Sequence, residues 1–282
     1  MMLAGLAIMI VSQAATLAGI EPFASWNTPI CWTGFILFAD AIVYRARGNS
    51  WLRSSPREFA ALALVSIPLW VVFEGYNLVI RNWIYAGLPE NRALRLFGYA
   101  WSFGTIWPAI FEGAELASLV RQTAGKAGKA GRAGREMPSP PALPALPALS
   151  IAAGALMLAS PFLVSPTIAQ YMAAPVFLGF IFLLDPINRR LGEEALTRER
   201  TINLLLSGLL CGVLWEFWNY WSRAKWIYTV PIMQQWKVFE MPLPGYLGFP
   251  PFAVECFTMY VFLRALYASL TSERQHGRTI AL

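Results

Sequence analysis

Glu74-Gly75-Tyr76-Asn77-Leu78-Val79-Ile80-Arg81-Asn82-Trp83-Ile84-Tyr85 has a second copy in Glu216-Phe217-Trp218-Asn219-Tyr220-Trp221-Ser222-Arg223-Ala224-Lys225-Trp226-Ile227-Tyr228. Glu, Asn and Arg recur at one offset of 142 residues with the same i, i+3, i+7 spacing, and Trp-Ile-Tyr follows with one residue inserted. Each copy closes a long apolar run that reads as a membrane helix. A carboxylate in hydrocarbon is costly and is by default a functional group. Keeping the same rare polar residues in two halves argues for a duplication and a paired polar site.

The duplication extends outward from this stretch. Gly34-Phe35-Ile36-Leu37-Phe38-Ala39-Asp40 reads against Gly179-Phe180-Ile181-Phe182-Leu183-Leu184-Asp185. Gly98-Tyr99 returns as Gly245-Tyr246, and Pro108-Ala109-Ile110-Phe111-Glu112 as Pro251-Phe252-Ala253-Val254-Glu255. The blocks keep their order with small changes of offset, which shared apolar composition alone would not produce.

A chain that is 57% hydrophobic and 13% charged, with mean hydropathy +0.49, belongs with polytopic membrane proteins. Windows of bilayer-crossing length fall near 2–20, 28–45, 59–80, 98–120, 149–165, 170–187, 202–222 and 248–270. The expected fold is therefore an all-α polytopic membrane protein of about eight transmembrane helices in two parallel four-helix repeats. The repeats cover 1–121 and 149–271, with a flexible cytoplasmic linker over 122–148 and a cytoplasmic tail over 272–282. Met1 leads straight into an apolar run with no basic preface, so a retained first helix is expected over a signal peptide. The linker is rich in Gly, Lys and Ala and then in Pro. It lacks the Gly-Lys-Ser/Thr ending of a phosphate loop.

Lys and Arg set the orientation. Arg45, Arg47, Arg53 and Arg57, then Arg121 to Arg135, then Arg189 to Arg200, all follow even-numbered windows. Both termini are expected in the cytoplasm of a bacterial-type inner membrane. An even helix count per half gives both halves one orientation, unlike the inverted repeats of many transporters. The net charge of +6 fits this topology and anionic headgroups, and no nucleic-acid module is present. The expected partners are the lipid bilayer and a lipophilic small molecule.

Cys31, Cys211 and Cys256 lie in apolar segments without a CxxC, and the single histidine, His276, lies in the polar tail. No ligand set for haem, copper, zinc or non-haem iron can be assembled from these, and no cofactor is expected. A Ser-His or Cys-His nucleophile is absent for the same reason.

Six intramembrane acids remain: Asp40, Glu74 and Glu112, then Asp185, Glu216 and Glu255. Glu74 and Glu216 stand seven residues before the outer boundary, about 10 Å deep. Glu112 and Glu255 each follow a Pro by four residues, nearer mid-membrane, while Asp40 and Asp185 fall toward the cytoplasm. Asn77 and Asn219 share a face with their Glu and suit a network that orients it. Arg81 and Arg223, two turns on, either join that face or reach for headgroups. Trp83, Tyr85, Trp226 and Tyr228 serve either as an interfacial belt or as substrate contacts, and Tyr99 and Tyr246 join them as contacts. Glu21 and Glu115 have no counterpart and receive no role. The outer connections 82–97 and 224–247 are apolar enough to cap the outer mouth of the bundle.

Without histidine or metal motifs, carboxylates suit proton chemistry on an apolar substrate. A neutral acid in a dry pocket can protonate an alkene, and aromatic faces can shelter the cation that results. The order Trp-x-Tyr, Gly, Pro and Glu resembles the two-component membrane lycopene cyclases, tandem helical domains with a Pro-x-Glu-Glu signature. The resemblance covers the latter half of each repeat, with Pro-x-x-x-Glu and a single acid in place of that signature. It implies isoprenoid or carotenoid cyclisation with Glu112 and Glu255 as the motif acids. The reading is acid–base catalysis on a lipophilic, isoprenoid-like molecule. A proton-coupled transporter, a membrane scaffold, or acids that merely hold helices together are the alternatives.

Overall fold

The computed structural model describes residues 1–129 and 147–270, with the side chains of 125–129 excepted. Its helices are α1 (Met2–Leu17), α2 (Phe23–Arg47), the single turn α3 (Trp51–Ser54), α4 (Pro56–Ile80), α5 (Arg92–Gly104) and α6 (Ile106–Lys129). Then come α7 (Pro147–Leu163), the single turn α8 (Pro166–Ala169), α9 (Ala173–Arg190), α10 (Arg198–Trp221) and α11 (Phe249–Leu270). Four stretches are long and apolar enough to cross a membrane: Phe23–Arg47, Pro56–Ile80, Arg198–Trp221 and Leu243–Leu270. α1 and α7 are shorter apolar helices. Large aliphatic side chains point outward from these helices, among them Leu64, Val71 and Leu78 on α4 and Leu209 and Val213 on α10. Such a surface is costly in water and at ease in lipid.

Prolines decide where several boundaries differ from the sequence windows. The window 98–120 breaks at Thr105, and α6 starts afresh with Pro108 in its first turn, where a missing N–H costs no helical bond. Pro175 similarly stands in the first turn of α9, which begins at Ala173 rather than near 170. At the edges of the expected linker over 122–148 the described residues are helical. α6 continues to Lys129 and α7 begins at Pro147, while residues 130–146 and the tail 272–282 lie outside the described residues.

Two crossings hold the outer helices. α1 meets α2 where Gly5 and Gly34 abut, and a Cβ on Gly34 would stand 2.8 Å from the Gly5 carbonyl oxygen. α7 meets α9 at Gly154 and Gly179 in the same manner, with 2.7 Å from a Cβ on Gly154 to the Gly179 oxygen. Backbones this close exclude any side chain. Gly154→Leu should therefore destabilise the protein by about 1–3 kcal/mol through overpacking. Gly75→Leu, which meets nothing within 4 Å, should melt with the wild type. Thermal denaturation of both variants in detergent checks this.

The centre of the bundle is aromatic. Phe252 has Phe73, Phe177, Trp70 and Trp107 around it at centroid distances of 5.6, 5.8, 5.9 and 5.9 Å, mostly edge to face. Trp32 stands between Trp215 and Trp218 at 5.0 and 4.8 Å. The Trp107 Nε1–H donates to the Cys256 carbonyl and the Ser207 hydroxyl to that of Ile110, so the halves are tied through the middle.

One end is closed by strands. β1 (Trp83–Ala86) pairs antiparallel with β2 (Lys225–Tyr228), in the register Trp83↔Tyr228, Ile84↔Ile227, Tyr85↔Trp226 and Ala86↔Lys225. The two Trp-Ile-Tyr motifs thus pair with each other. Beside them β3 (Lys237–Val238) pairs with β4 (Met241–Pro242), and a 3₁₀ turn over Leu243–Gly248 leads into α11.

Candidate functional site

Beneath the β1–β2 ribbon lies a cavity of about 540 Å³, within the range of about 300–1,000 Å³ usual for small-molecule sites. Its wall is aromatic: Trp32, Trp70 and Phe252 come from the helices, and Trp83, Tyr85, Trp226 and Tyr228 from the ribbon. Tyr99 and Phe103 of α5 close one side. These tyrosines and tryptophans were expected as either belt or ligand contacts, and all but Tyr246 border the chamber. The Tyr246 hydroxyl donates instead to the Val238 carbonyl at 3.0 Å, and its ring packs on Phe249.

The six acids do not border the chamber. Glu74 and Glu216 stand directly behind its wall. Glu74 Oε1 accepts from Trp70 Nε1 at 2.8 Å, from Trp83 Nε1 at 3.2 Å and from the Tyr85 hydroxyl at 2.6 Å. Three lining rings are therefore oriented by one oxygen. Glu216, fully buried, accepts from the Tyr228 hydroxyl at 2.9 Å, and that hydroxyl accepts from Trp226 Nε1 at 2.9 Å. The two sides differ where Trp70 has Gly212 as its counterpart, a space filled by the Phe249 ring. Burial foremost, then the adjoining carboxylate, pushes both ribbon phenols well above their usual range. Tyr85 and Tyr228 consequently keep their protons at working pH and act as donors.

Asn77 and Asn219 do not orient the carboxylates, contrary to the expectation from their shared helical face. Each turns past its helix end to grip a strand. The Asn219 side chain donates from Nδ2 to the Trp226 carbonyl and accepts the Trp226 N–H, both at 2.9 Å. Asn77 Nδ2 donates to the Trp83 carbonyl at 2.8 Å, and its oxygen accepts the N–H groups of Asn82 and Trp83. A neutral amide fits this task because it offers a donor and an acceptor together.

Arg81 and Arg223 are exposed and outside the chamber. Arg81 ends α4 in the left-handed region at φ 52°, so the helical periodicity that put it on the Glu74 face stops before it. Arg223 reaches Glu21 at 2.5 Å, and its N–H donates to the Ala24 carbonyl. Glu21 thereby gains a role that its lack of a counterpart had hidden. Glu115 gains one too, as the ion-pair partner of Arg47.

Asp40 and Asp185 do not border the chamber. Asp40 Oδ1 accepts the Leu52 N–H at 2.9 Å, with Arg53 Nε at 3.7 Å from its other oxygen. Asp185 likewise accepts the Leu196 N–H at 3.0 Å and pairs with Arg189 at 2.8 Å. Both fasten the chain that leaves their helix. Glu112 and Glu255, the acids of the lycopene-cyclase-like motif, are buried away from the chamber. Among the described residues neither Glu112 oxygen has a hydrogen-bond partner, and Glu255 Oε1 accepts only a long bond from the Phe180 N–H at 3.3 Å.

Trp70 and Asn27 went unnoticed in the sequence. Trp70 sits at i−4 from Glu74, a spacing that could have flagged it. Asn27, fully buried where Trp26 interrupts α2, donates to the Trp218 carbonyl at 3.2 Å and accepts from the Ser12 hydroxyl at 2.9 Å. No repeat marks it, because Met172 stands at the corresponding place. No protein-family model, curated protein or solved structure matches this chain.

Proposed function

We propose that the chain is an eight-span inner-membrane protein whose outer aromatic chamber takes a lipophilic, isoprenoid-like molecule and performs acid–base chemistry on it. Tyr85 and Tyr228 border the chamber and are the groups that reach the ligand. A proton given by a phenol to the ligand is replaced from the protonated carboxyl of Glu74 or Glu216 behind it, and a proton taken from the ligand passes through the phenol to the carboxylate form. One observation carries this reading. The two ribbon phenols, Tyr85 and Tyr228, are each hydrogen-bonded to a glutamate shielded from the cavity, a pairing suited to proton exchange with an apolar ligand. Cyclisation, isomerisation and hydration all begin with such a proton transfer, and the wall rings would shelter the cation.

In this reading α1, α2, α4 and α5–α6 form one repeat, and α7, α9, α10 and α11 the other. The antiparallel pairing of two identical tripeptides supports a two-fold axis through Ile84 and Ile227 along the membrane normal. That is the symmetry of parallel repeats with cytoplasmic termini. The matched Gly5–Gly34 and Gly154–Gly179 crossings favour it as well.

Mass spectrometry of lipids copurifying with the full chain tests the proposal. A lipophile should be retained by wild type and released by Trp70→Ala. The Tyr85→Phe, Tyr228→Phe double variant should retain the unconverted molecule and lose at least about a hundredfold in conversion, the usual weight of a positioned proton donor. Unchanged conversion in the double variant would remove the chemistry and leave a binding or transport role.

A further inference from the structure

The chamber wall carries two charged side chains, Arg95 and Lys225, both cationic, and no acid. They are not equivalent. Lys225 is held by Glu240 at 2.5 Å and lies over the Tyr220 ring. Arg95, in the first turn of α5, forms no ion pair among the described residues. Its Nη2 donates to the Glu90 carbonyl at 3.2 Å, and its Nε is buried without a hydrogen-bond partner. Leu94, Gly98 and Tyr99 of the same helix border the chamber with it.

A half-exposed guanidinium on a largely apolar wall, with no ion-pair partner among the described residues, is free to meet an anionic group in the chamber. Its planar fork matches a carboxylate or phosphate edge. The other cation of the wall, Lys225, is already paired, and the remaining polar groups, among them Asn82, Gln170 and Thr28, are neutral. We infer that the ligand is an amphiphile, with an apolar body in the aromatic chamber and an anionic carboxylate or phosphate head on Arg95. This rests on the chamber being the binding site and adds the head group to it. It also separates the neutral hydrocarbon class from the acidic lipid class as substrate.

The probe is a fluorescent polyene fatty acid, cis-parinaric acid, compared with its methyl ester on the full chain in detergent. Wild type should bind the acid about tenfold more tightly than the ester, a difference of about 1.4 kcal/mol. In Arg95→Gln the acid should fall to the affinity of the ester while ester binding stays as in wild type, which also reports an intact fold. Arg95→Lys should lie between, since it keeps the charge without the fork. Arg92→Gln, exposed and off the wall, should match wild type. Equal binding of acid and ester by wild type, or a preference that survives Arg95→Gln, overturns the inference and leaves the chamber reading intact. Displacement of the acid by inorganic phosphate alone would make this a free-anion site and also overturn it. Failure of both acid and ester to bind would bring down the chamber reading, and this inference with it.

Discussion

Asn219→Ala should unfasten the outer ribbon and lower the thermal midpoint in detergent more than any other single change in it. Asn219 is fully buried, and one side chain satisfies both backbone groups of Trp226. Truncation orphans an N–H and a carbonyl on a half-buried strand. Each orphan costs about 1–3 kcal/mol, giving about 2–6 kcal/mol for the pair. For a chain of this size that is a fall of about 5–15 °C. Asn219→Asp keeps the acceptor for the Trp226 N–H but loses the donor, so its melting point should fall less. Asn77→Ala should follow the same pattern with a smaller loss, because Asn77 is only half-buried. An Asn219→Ala variant that melts with the wild type would show that the clamp bears no strain.

Glu74 gives the second large effect, and two substitutions separate its possible roles. Glu74→Ala withdraws the acceptor from Trp70 Nε1, Trp83 Nε1 and the Tyr85 hydroxyl together. Three donors lose their partner, at a cost of about 3 kcal/mol or more, and the wall rings lose their common orientation. Glu74→Gln leaves an amide oxygen able to accept from the same rings, so folding and ligand retention should survive. A glutamine cannot exchange the proton, however. Under the acid–base reading, conversion of the bound lipophile should drop by about 10²–10⁴ in Glu74→Gln. Full conversion in that variant would assign Glu74 a purely architectural task. Measuring ligand retention and product together in both variants decides between them.

The apolar periodicity made the helices readable, and the doubled Glu, Asn and Arg marked the level at which the chamber lies. The partners of those residues were not readable, for a physical reason. Helical spacing places Asn77 on the face of Glu74, but it carries no information about a chain that turns back after Ile80. The strand that Asn77 grips lies beyond that turn, and its pairing partner is more than a hundred residues away. The tethers made by Asp40 and Asp185 were similarly unreadable, because the N–H groups they accept lie twelve and eleven residues downstream, on the short turn α3 and in the connection after α9. Arg95 escaped notice because the duplication served as the guide, and the counterpart of α5 in the second half is the β3–β4 hairpin with its 3₁₀ turn. A repeat directs attention to what the halves share, whereas the chamber owes Trp70 and Arg95 to one half alone.

The β1–β2 ladder has a mechanical consequence. Its four residue pairs take one strand from each half, and each hydrogen bond contributes about 1 kcal/mol. The halves are latched at the ribbon end. A rocking cycle of alternating access, with the halves parting outward, would have to break this latch at every turnover at a cost of several kcal/mol. Under the proposed reading, a guest from the bilayer would avoid that cost by slipping sideways between helices, with the ribbon left closed.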